Sequence, residues 1–245
     1  MQFPLATYRI QFTPDFGFSE AVAILPYLKN LGISDLYASP IFQARSGSMH
    51  GYDVCDHNKI NNELGGEQTF AKLITEVRHH DMGWIQDIVP NHMAVSGSNP
   101  ILVDVLENGP ESLYYGFFDI NWDHPDIGFQ GRMLAPFLGS FFAEALENGE
   151  IKLVYDQHGF SFHYYELMFP VRLESYFKIL TLDLNQLQSR MGKDHPDYIK
   201  LLGILYSIKS LATGGNREER YDQIFFLKRL LFEMHETSVP IRSYI

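Results

Sequence analysis

Trp84-Ile85-Gln86-Asp87-Ile88-Val89-Pro90-Asn91-His92 begins as an apolar run and stops in a turn carrying an acid, an amide and an imidazole. The β-branched and aromatic residues from Trp84 to Val89 predict a strand, and Pro90 argues against its continuation. Asp87, Asn91 and His92 are then delivered near its carboxyl end. In βα proteins with parallel strands, that end is where ligands are handled. The elements upstream decide whether the sheet is of that kind.

Working back towards the start, apolar strand-like and amphipathic helix-like runs alternate, which is the pattern of a parallel α/β protein. Thr7 to Phe12 (TYRIQF) predicts the first strand, and Ser34 to Ser39 (SDLYAS), halted by Pro40, the second. Between them Ser19 can cap a helix running to Leu31, with Ala21, Leu25 and Leu28 on one face and Gly32 as a left-handed stop. Pro26 would kink that helix or delay its start. The stretch from Ile41 to Gly66 is rich in Gly, Asn, His and Asp and is expected to be an irregular loop, a feature compact domains usually reserve for function. Glu67 to His80 places Phe70, Leu73, Ile74 and Val77 at helical spacing, with Gly83 as its end.

Downstream of His92 the rhythm changes. Asn99 to Leu138 reads as aromatic loop, and Ile151–Tyr155 and Phe160–Tyr165 flank the turn residues Asp156-Gln157-His158-Gly159 as a hairpin. Two helices are expected at Tyr198 to Leu211 and Glu218 to His235, separated by a break at Thr213-Gly214-Gly215-Asn216. The expected division is residues 1–92 as the start of a β/α domain and residues 93–245 as an inserted α+β subdomain.

A net charge of −11, with no long basic run, opposes binding to nucleic acid or to anionic membranes. The single cysteine, Cys55, leaves no intrachain disulfide and no cysteine-cluster metal site, and is expected to be a small buried filler. Met1-Gln2-Phe3-Pro4-Leu5 lacks the basic start and apolar run of a signal peptide, and no segment has the apolar length of a membrane span, so the expectation is a soluble cytoplasmic protein.

Two polar clusters converge on the same end of the predicted sheet: Asp87-Ile88-Val89-Pro90-Asn91-His92, and His50-Gly51-Tyr52-Asp53-Val54 in the loop after the second strand. In order and separation they resemble the α-amylase family of glycoside hydrolases. That family has a strand ending in Asp, three variable residues, Asn and His, preceded by a Gly-Tyr-Asp loop. Longer stretches resemble its maltooligosyltrehalose synthase branch: Ala6 to Phe12, Leu36 to Ile41, Gly47 to Asp53, Asp104-Val105-Leu106-Glu107-Asn108-Gly109-Pro110 and Phe117 to Ile120. The resemblance weakens beyond Tyr165. It implies the N-terminal part of a (β/α)8 TIM barrel, namely the first three βα units, with the α+β subdomain inserted after strand 3.

Carried over by residue, the resemblance makes Tyr52 a ring platform under the sugar, His92 a donor to a sugar hydroxyl and Asp87 an orienting charge. The partner implied for Asp87 is the arginine that precedes the nucleophile in the family. Asn91, a calcium ligand in many amylases, stands here as a structural residue, since no carboxylate cage surrounds it and this branch is not generally metal-dependent. Each residue also has a plainer reading. His92 and His50 taken singly suit structural hydrogen bonding, Tyr52 suits the core, and Asp87 suits a satisfied buried carboxylate. Asp53 and His50 divide between holding the loop and touching substrate. Tyr114, Tyr115, Phe117, Phe118 and Trp122 read as packing rather than glucan stacking.

Retaining enzymes of this type need two carboxyl groups roughly 5 Å apart. In the family these are an Asp after an Arg at the end of strand four and a Glu on strand five. From His92 to Ile245 no predicted strand ends in Arg-x-Asp, and Asp183 lacks the arginine. A TIM barrel occupies about 250 residues, so a chain with three barrel strands in 245 residues is expected to stop before barrel strand 4 and to lack the nucleophile and the acid/base.

The activity the resemblance implies for the parent enzyme is an isomerisation in trehalose biosynthesis. The reducing-end α-1,4 bond of a maltooligosaccharide is moved by intramolecular transglucosylation to an α,α-1,1 bond. Water must be kept from the glucosyl intermediate, and the segment after His92 could help form that lid. No external cofactor is implied. The partners are the α-1,4-glucan and the missing C-terminal part of the enzyme. This chain alone is expected to be inactive. The alternatives are another hydrolase or transglycosylase of the same family, or a non-catalytic glucan-binding piece.

Overall fold

The computed structural model describes residues 3–211 and 216–245. The chain divides into two compact units, residues 1–100 and residues 101–245.

In the first unit the elements run β1 (Thr7–Ile10), α1 (Phe18–Asn30), β2 (Asp35–Ala38), β3 (Phe42–Ala44), β4 (Val54–Ile60), α2 (Gly66–His79) and β5 (Gly83–Gln86). Strands β1, β2 and β5 form a parallel sheet in that order, with Arg9 level with Tyr37 and Tyr37 level with Ile85. One face of it is covered by the helices. Ile10, Phe12, Leu36 and Ala38 pack with Phe18, Ala21, Leu25 and Leu28 of α1 and Leu73 and Val77 of α2, all buried. Alternation along a strand sends the next residues to the other face, where Thr7 and Arg9 are exposed, Ile85 is 36% exposed and Tyr37 is half-buried.

Several sequence expectations need correction here. The helix expected from Ser19 begins at Phe18, capped by Gly17, whose N–H donates to Glu20 Oε2 at 2.9 Å. It runs through Pro26 without interruption of the assigned helix, so the proline does not delay its start; Pro26 and Tyr27 lie on the exposed side. Gly32 does adopt the left-handed conformation, at φ +89°. Gly83 does not end α2, which closes at His79 with His80 as cap; it opens β5 instead. All three parallel strands are shorter than read, and β5 stops at Gln86, so Asp87 stands just past its end, its N–H still on Ala38 O at 3.0 Å.

The segment 41–66 is not irregular throughout. It folds back as the antiparallel pair β3 and β4, with two register irregularities, and then makes a 3-10 turn at Asn62–Leu64. Asp56, His57, Asn58 and Lys59 in β4 are poor strand formers, which is why composition disguised it. This pair supports the stretch after β5: Ala94 N–H donates to Val54 O at 2.8 Å, and the His57 ring lies 3.2 Å from Val89 O. Cys55 is buried and free, as expected of a filler, and its sulfur is 3.5 Å from Ser98 Oγ.

The second unit holds α3 (Pro100–Asn108, beginning at the junction), α4 (Phe142–Glu147), a meander of β6 (Ile151–Asp156), β7 (Gly159–Tyr164) and β8 (Leu167–Pro170), and helices α5 (Leu173–Thr181), α6 (Leu184–Met191), α7 (Pro196–Lys209), α8 (Arg217–Thr237) and α9 (Val239–Arg242). The expected hairpin is β6–β7, in antiparallel register from Ile151↔Tyr164 to Asp156↔Gly159. The expectation of loop across 99–138 fails at α3 and at a 3-10 turn over Gly109–Glu111. The break at Thr213-Gly214-Gly215 lies outside the described residues, while Asn216 caps α8 by accepting from Glu218 N–H at 3.0 Å. The core packs Phe160, Leu173, Tyr176, Leu201, Ile204, Leu227 and Leu231. No helix among the described residues is long and apolar enough to cross a membrane.

Candidate functional site

The site grows from the exposed face of the parallel sheet at its carboxyl end. The loop carrying Tyr52 reaches it because Gly51 sits at φ +76°, and a Cβ there would lie 2.7 Å from Pro40 O. Only glycine meets both demands without strain. Asp53 holds the loop, accepting from the Ser48 hydroxyl, and the same Ser48 oxygen accepts from Gly51 N–H at 3.1 Å. His50 also works within the loop: its Nδ1 accepts from Tyr52 N–H at 3.0 Å, and its ring stacks on that of Tyr52 with centroids 6.2 Å apart. Both residues therefore make the contacts of loop-holders.

Tyr52, half-buried, donates its phenolic proton to Asp87 Oδ2 at 2.5 Å. Tyr37 on β2 donates to the same oxygen at 3.2 Å. Arg9 on β1 donates from Nη2 to the Tyr52 phenol oxygen at 3.0 Å and from Nη1 to Gln11 Oε1 at 3.0 Å, and its guanidinium carbon lies 5.5 Å from the centroid of the Tyr37 ring. Gln11 in turn donates to His50 O at 3.1 Å. The bond to the Asp87 carboxylate, with some burial, pushes the Tyr52 phenol above its ordinary pKa, while Arg9 pulls it back. The phenol likewise raises Arg9. A proton therefore stays on Tyr52 at neutral pH.

Of the residues singled out from sequence, the structure brings Tyr52, Asp87 and His50 into one network and sets Asp53 behind the loop. It does not join His92 to them: His92 is exposed, and its described partner is the neighbouring Asn91 amide, 3.5 Å from Nδ1. The described partners of the Asp87 side chain are two phenols, with Arg9 one bond behind. Arg9, Gln11 and Tyr37 were missed as site residues. The signal was present, since Arg9 and Gln11 alternate onto one face of the first strand's run and Arg9 shares a face with Tyr37 once the strands are parallel. Among the described residues no group of three or more His, Cys, Asp and Glu side chains could hold a metal ion.

A half-exposed ring with its hydroxyl pinned to a carboxylate at the end of parallel strands is suited to a polyhydroxylated ligand. The model of the alpha-amylase catalytic domain matches residues 21–165, more than half of the chain. The chain belongs to the alpha-amylase family. Within it, the chain is similar to maltooligosyl trehalose synthases. A Mycobacterium tuberculosis protein described by that name is 44% identical over 148 residues, covering 57% of this chain and 19% of the relative. A crystal structure of a maltooligosyl trehalose synthase aligns with a TM-score of 0.63 at 41% identity, over 69% of this chain and 22% of that one. A Sulfolobus tokodaii protein, described as a hypothetical maltooligosyl trehalose synthase, gives 0.61 at 38% identity, over 77% and 24%. The chain thus spans about a fifth of the length of the curated alpha-amylase relative from M. tuberculosis.

Proposed function

We propose that this alpha-amylase-family chain forms part of the sugar site of a glucosylmutase. That enzyme moves the reducing-end α-1,4 bond of a maltooligosaccharide to an α,α-1,1 bond, giving maltooligosyltrehalose. The observation that carries the reading is the convergence of Tyr52 and Asp87 at the carboxyl end of β1-β2-β5, in a chain similar to maltooligosyl trehalose synthases. In this reading residues 1–92 supply the first three βα units of a (β/α)8 barrel, residues 93–245 an inserted subdomain, and the setting is the cytoplasm. Tyr52 is the platform for a pyranose ring, Asp87 orients it, and His92 donates to a sugar hydroxyl; His50 and Asp53 border the platform and Asn91 supports His92. The open face bearing Arg9, Tyr37 and Ile85 would look into the barrel.

No strand of the described residues ends in Arg-x-Asp, so the nucleophile, one of the two carboxyl groups that glycosyl transfer requires, is not supplied at the expected place by the described residues. By itself it binds glucan without turning it over. Purified chain incubated with maltopentaose should give neither a trehalose-ended product nor free glucose, while calorimetry should register binding that Tyr52→Ala abolishes. Turnover by the chain alone would overturn the assignment of its residues to binding. An absence of heat would remove the sugar site.

A further inference from the structure

Arg9, level with Tyr37 on the first strand, and Gln11, just past the strand's end, both reach over to the loop that carries Tyr52. The chemistry of the three groups at the phenol fixes the direction of each bond. A guanidinium can only donate and a carboxylate can only accept, so the Tyr52 hydroxyl must accept from Arg9 and donate to Asp87. A phenol held from both sides has its ring plane set at the oxygen end. At the backbone end the bond from Tyr52 N–H to His50 Nδ1 fixes the turn from which the ring projects, and Gln11 holds that same turn through His50 O. Arg9 itself is pinned by Gln11 Oε1 and by the face of Tyr37. Both phenols fall on Asp87 Oδ2, leaving Oδ1 as the acceptor through which the carboxylate can meet a further donor.

We propose that Arg9 is a positioning residue of the sugar site: acting through the Tyr52 hydroxyl, it fixes the plane of the ring on which a pyranose stacks and directs the phenolic proton onto Asp87. The proposal rests on the sugar-platform reading of Tyr52 and adds to it a residue that touches no substrate. Lysine cannot replace it fully, because an ammonium lacks the planar fork that spans Gln11 and Tyr52 together.

The test uses the 245-residue chain labelled with 13C at the tyrosine Cζ, with the Tyr52 signal identified by its loss in Tyr52→Phe. Arg9 lowers the phenol against the raising effect of Asp87, so Arg9→Gln should move the Tyr52 titration to higher pH and Arg9→Lys should restore part of the difference. A Tyr52 titration unchanged in Arg9→Gln overturns the proposal whatever the glucan result. Calorimetry with maltopentaose then reads the consequence. Arg9→Gln should weaken binding about tenfold in the wild-type background and less than about twofold in Tyr52→Phe, the coupling expected of contacting groups. Equal losses in both backgrounds overturn it. If the unmutated chain binds no maltopentaose, the sugar reading fails, while the phenol titration still decides whether Arg9 governs Tyr52.

Discussion

In residues 1–100 the polar side chains of interest gather at one end of a parallel sheet and stay exposed or half-exposed, with Arg9, Tyr52 and Asp87 linked end to end. In residues 101–245 charge is handled the other way. Arg220 is 5% exposed and bonds Glu174, Lys228 bonds Glu107 with both side chains largely covered, and Asp104 accepts from Asn108, Ser112 and Tyr221. The first arrangement leaves acceptors and a ring face for a ligand. The second turns its charges onto one another inside the unit, where Arg220 Nε and Nη1 and Glu174 Oε2 stay buried without a hydrogen-bond partner among the described residues. Titratable clusters therefore divide by exposure into those that can meet substrate and those that hold the fold, a division that residue type alone does not make.

The largest effect that would break this contrast is expected in the second unit. Arg220→Ala leaves Glu174 without its main partner and should cost about 3–5 kcal/mol. The two tryptophans make the measurement specific, because Trp84 lies in the first unit and Trp122 in the second. Urea unfolding of a Trp84→Phe chain then follows Trp122, and a loss under about 1 kcal/mol would mean the Arg220–Glu174 pair does not hold the fold. The same pair predicts a pH dependence. Burial would raise the Glu174 carboxyl, but the bond from Arg220, with the charge of Arg172, holds it below its ordinary value. A group depressed on folding stabilises fully above its unfolded pKa, about 4.3, and loses that contribution as pH falls through the folded value. The Trp122-reported stability should therefore decline below about pH 4.3, and less so in Arg220→Ala.

A middle effect tests the loop of the first unit. Gly51→Ala forces a side chain into a left-handed position and against Pro40 O, at a cost of about 1–3 kcal/mol. Trp84 fluorescence in a Trp122→Phe chain should report it, and maltopentaose binding should fall with it. The smallest effect on stability is expected at the site itself. Asp87→Asn keeps the shape and weakens two half-exposed hydrogen bonds, so unfolding should shift by only about 0.5–1.5 kcal/mol. Glucan binding should nevertheless drop at least severalfold. A large loss of stability with binding intact would place Asp87 with the structural carboxylates of the second unit.

Much of the first unit was legible before the structure. The 3.6-residue spacing in α1 and α2 and the apolar runs at β1, β2 and β5 state their own periods, and Asp87 and Tyr52 lie within short motifs. What escaped were elements whose polar residues face inward. Asp56 in β4 and Asp104 and Asn108 in α3 look like loop residues to any composition argument, yet all three are half-buried or buried and bonded. Helices α5 and α6 escaped as well: α5 keeps Tyr176 and Leu180 buried within only nine residues, and α6 buries Leu187 alone.

The sequence by itself determined that strands and helices alternate at the start of the chain, that Tyr52 stands between a glycine and an acid in the loop after the second strand, and that an acid stands at the end of the third parallel strand, because each of these is written in local spacing and residue type. Only the tertiary structure decided which side chains meet. Arg9 and Tyr52 are 43 positions apart and Tyr52 and Asp87 35 apart, and strand register, the hairpin after β2 and the direction each side chain takes from its backbone are set by packing across those separations. Local sequence fixes the parts that can carry charge; their assembly decides that Arg9 answers Asp87 through a phenol.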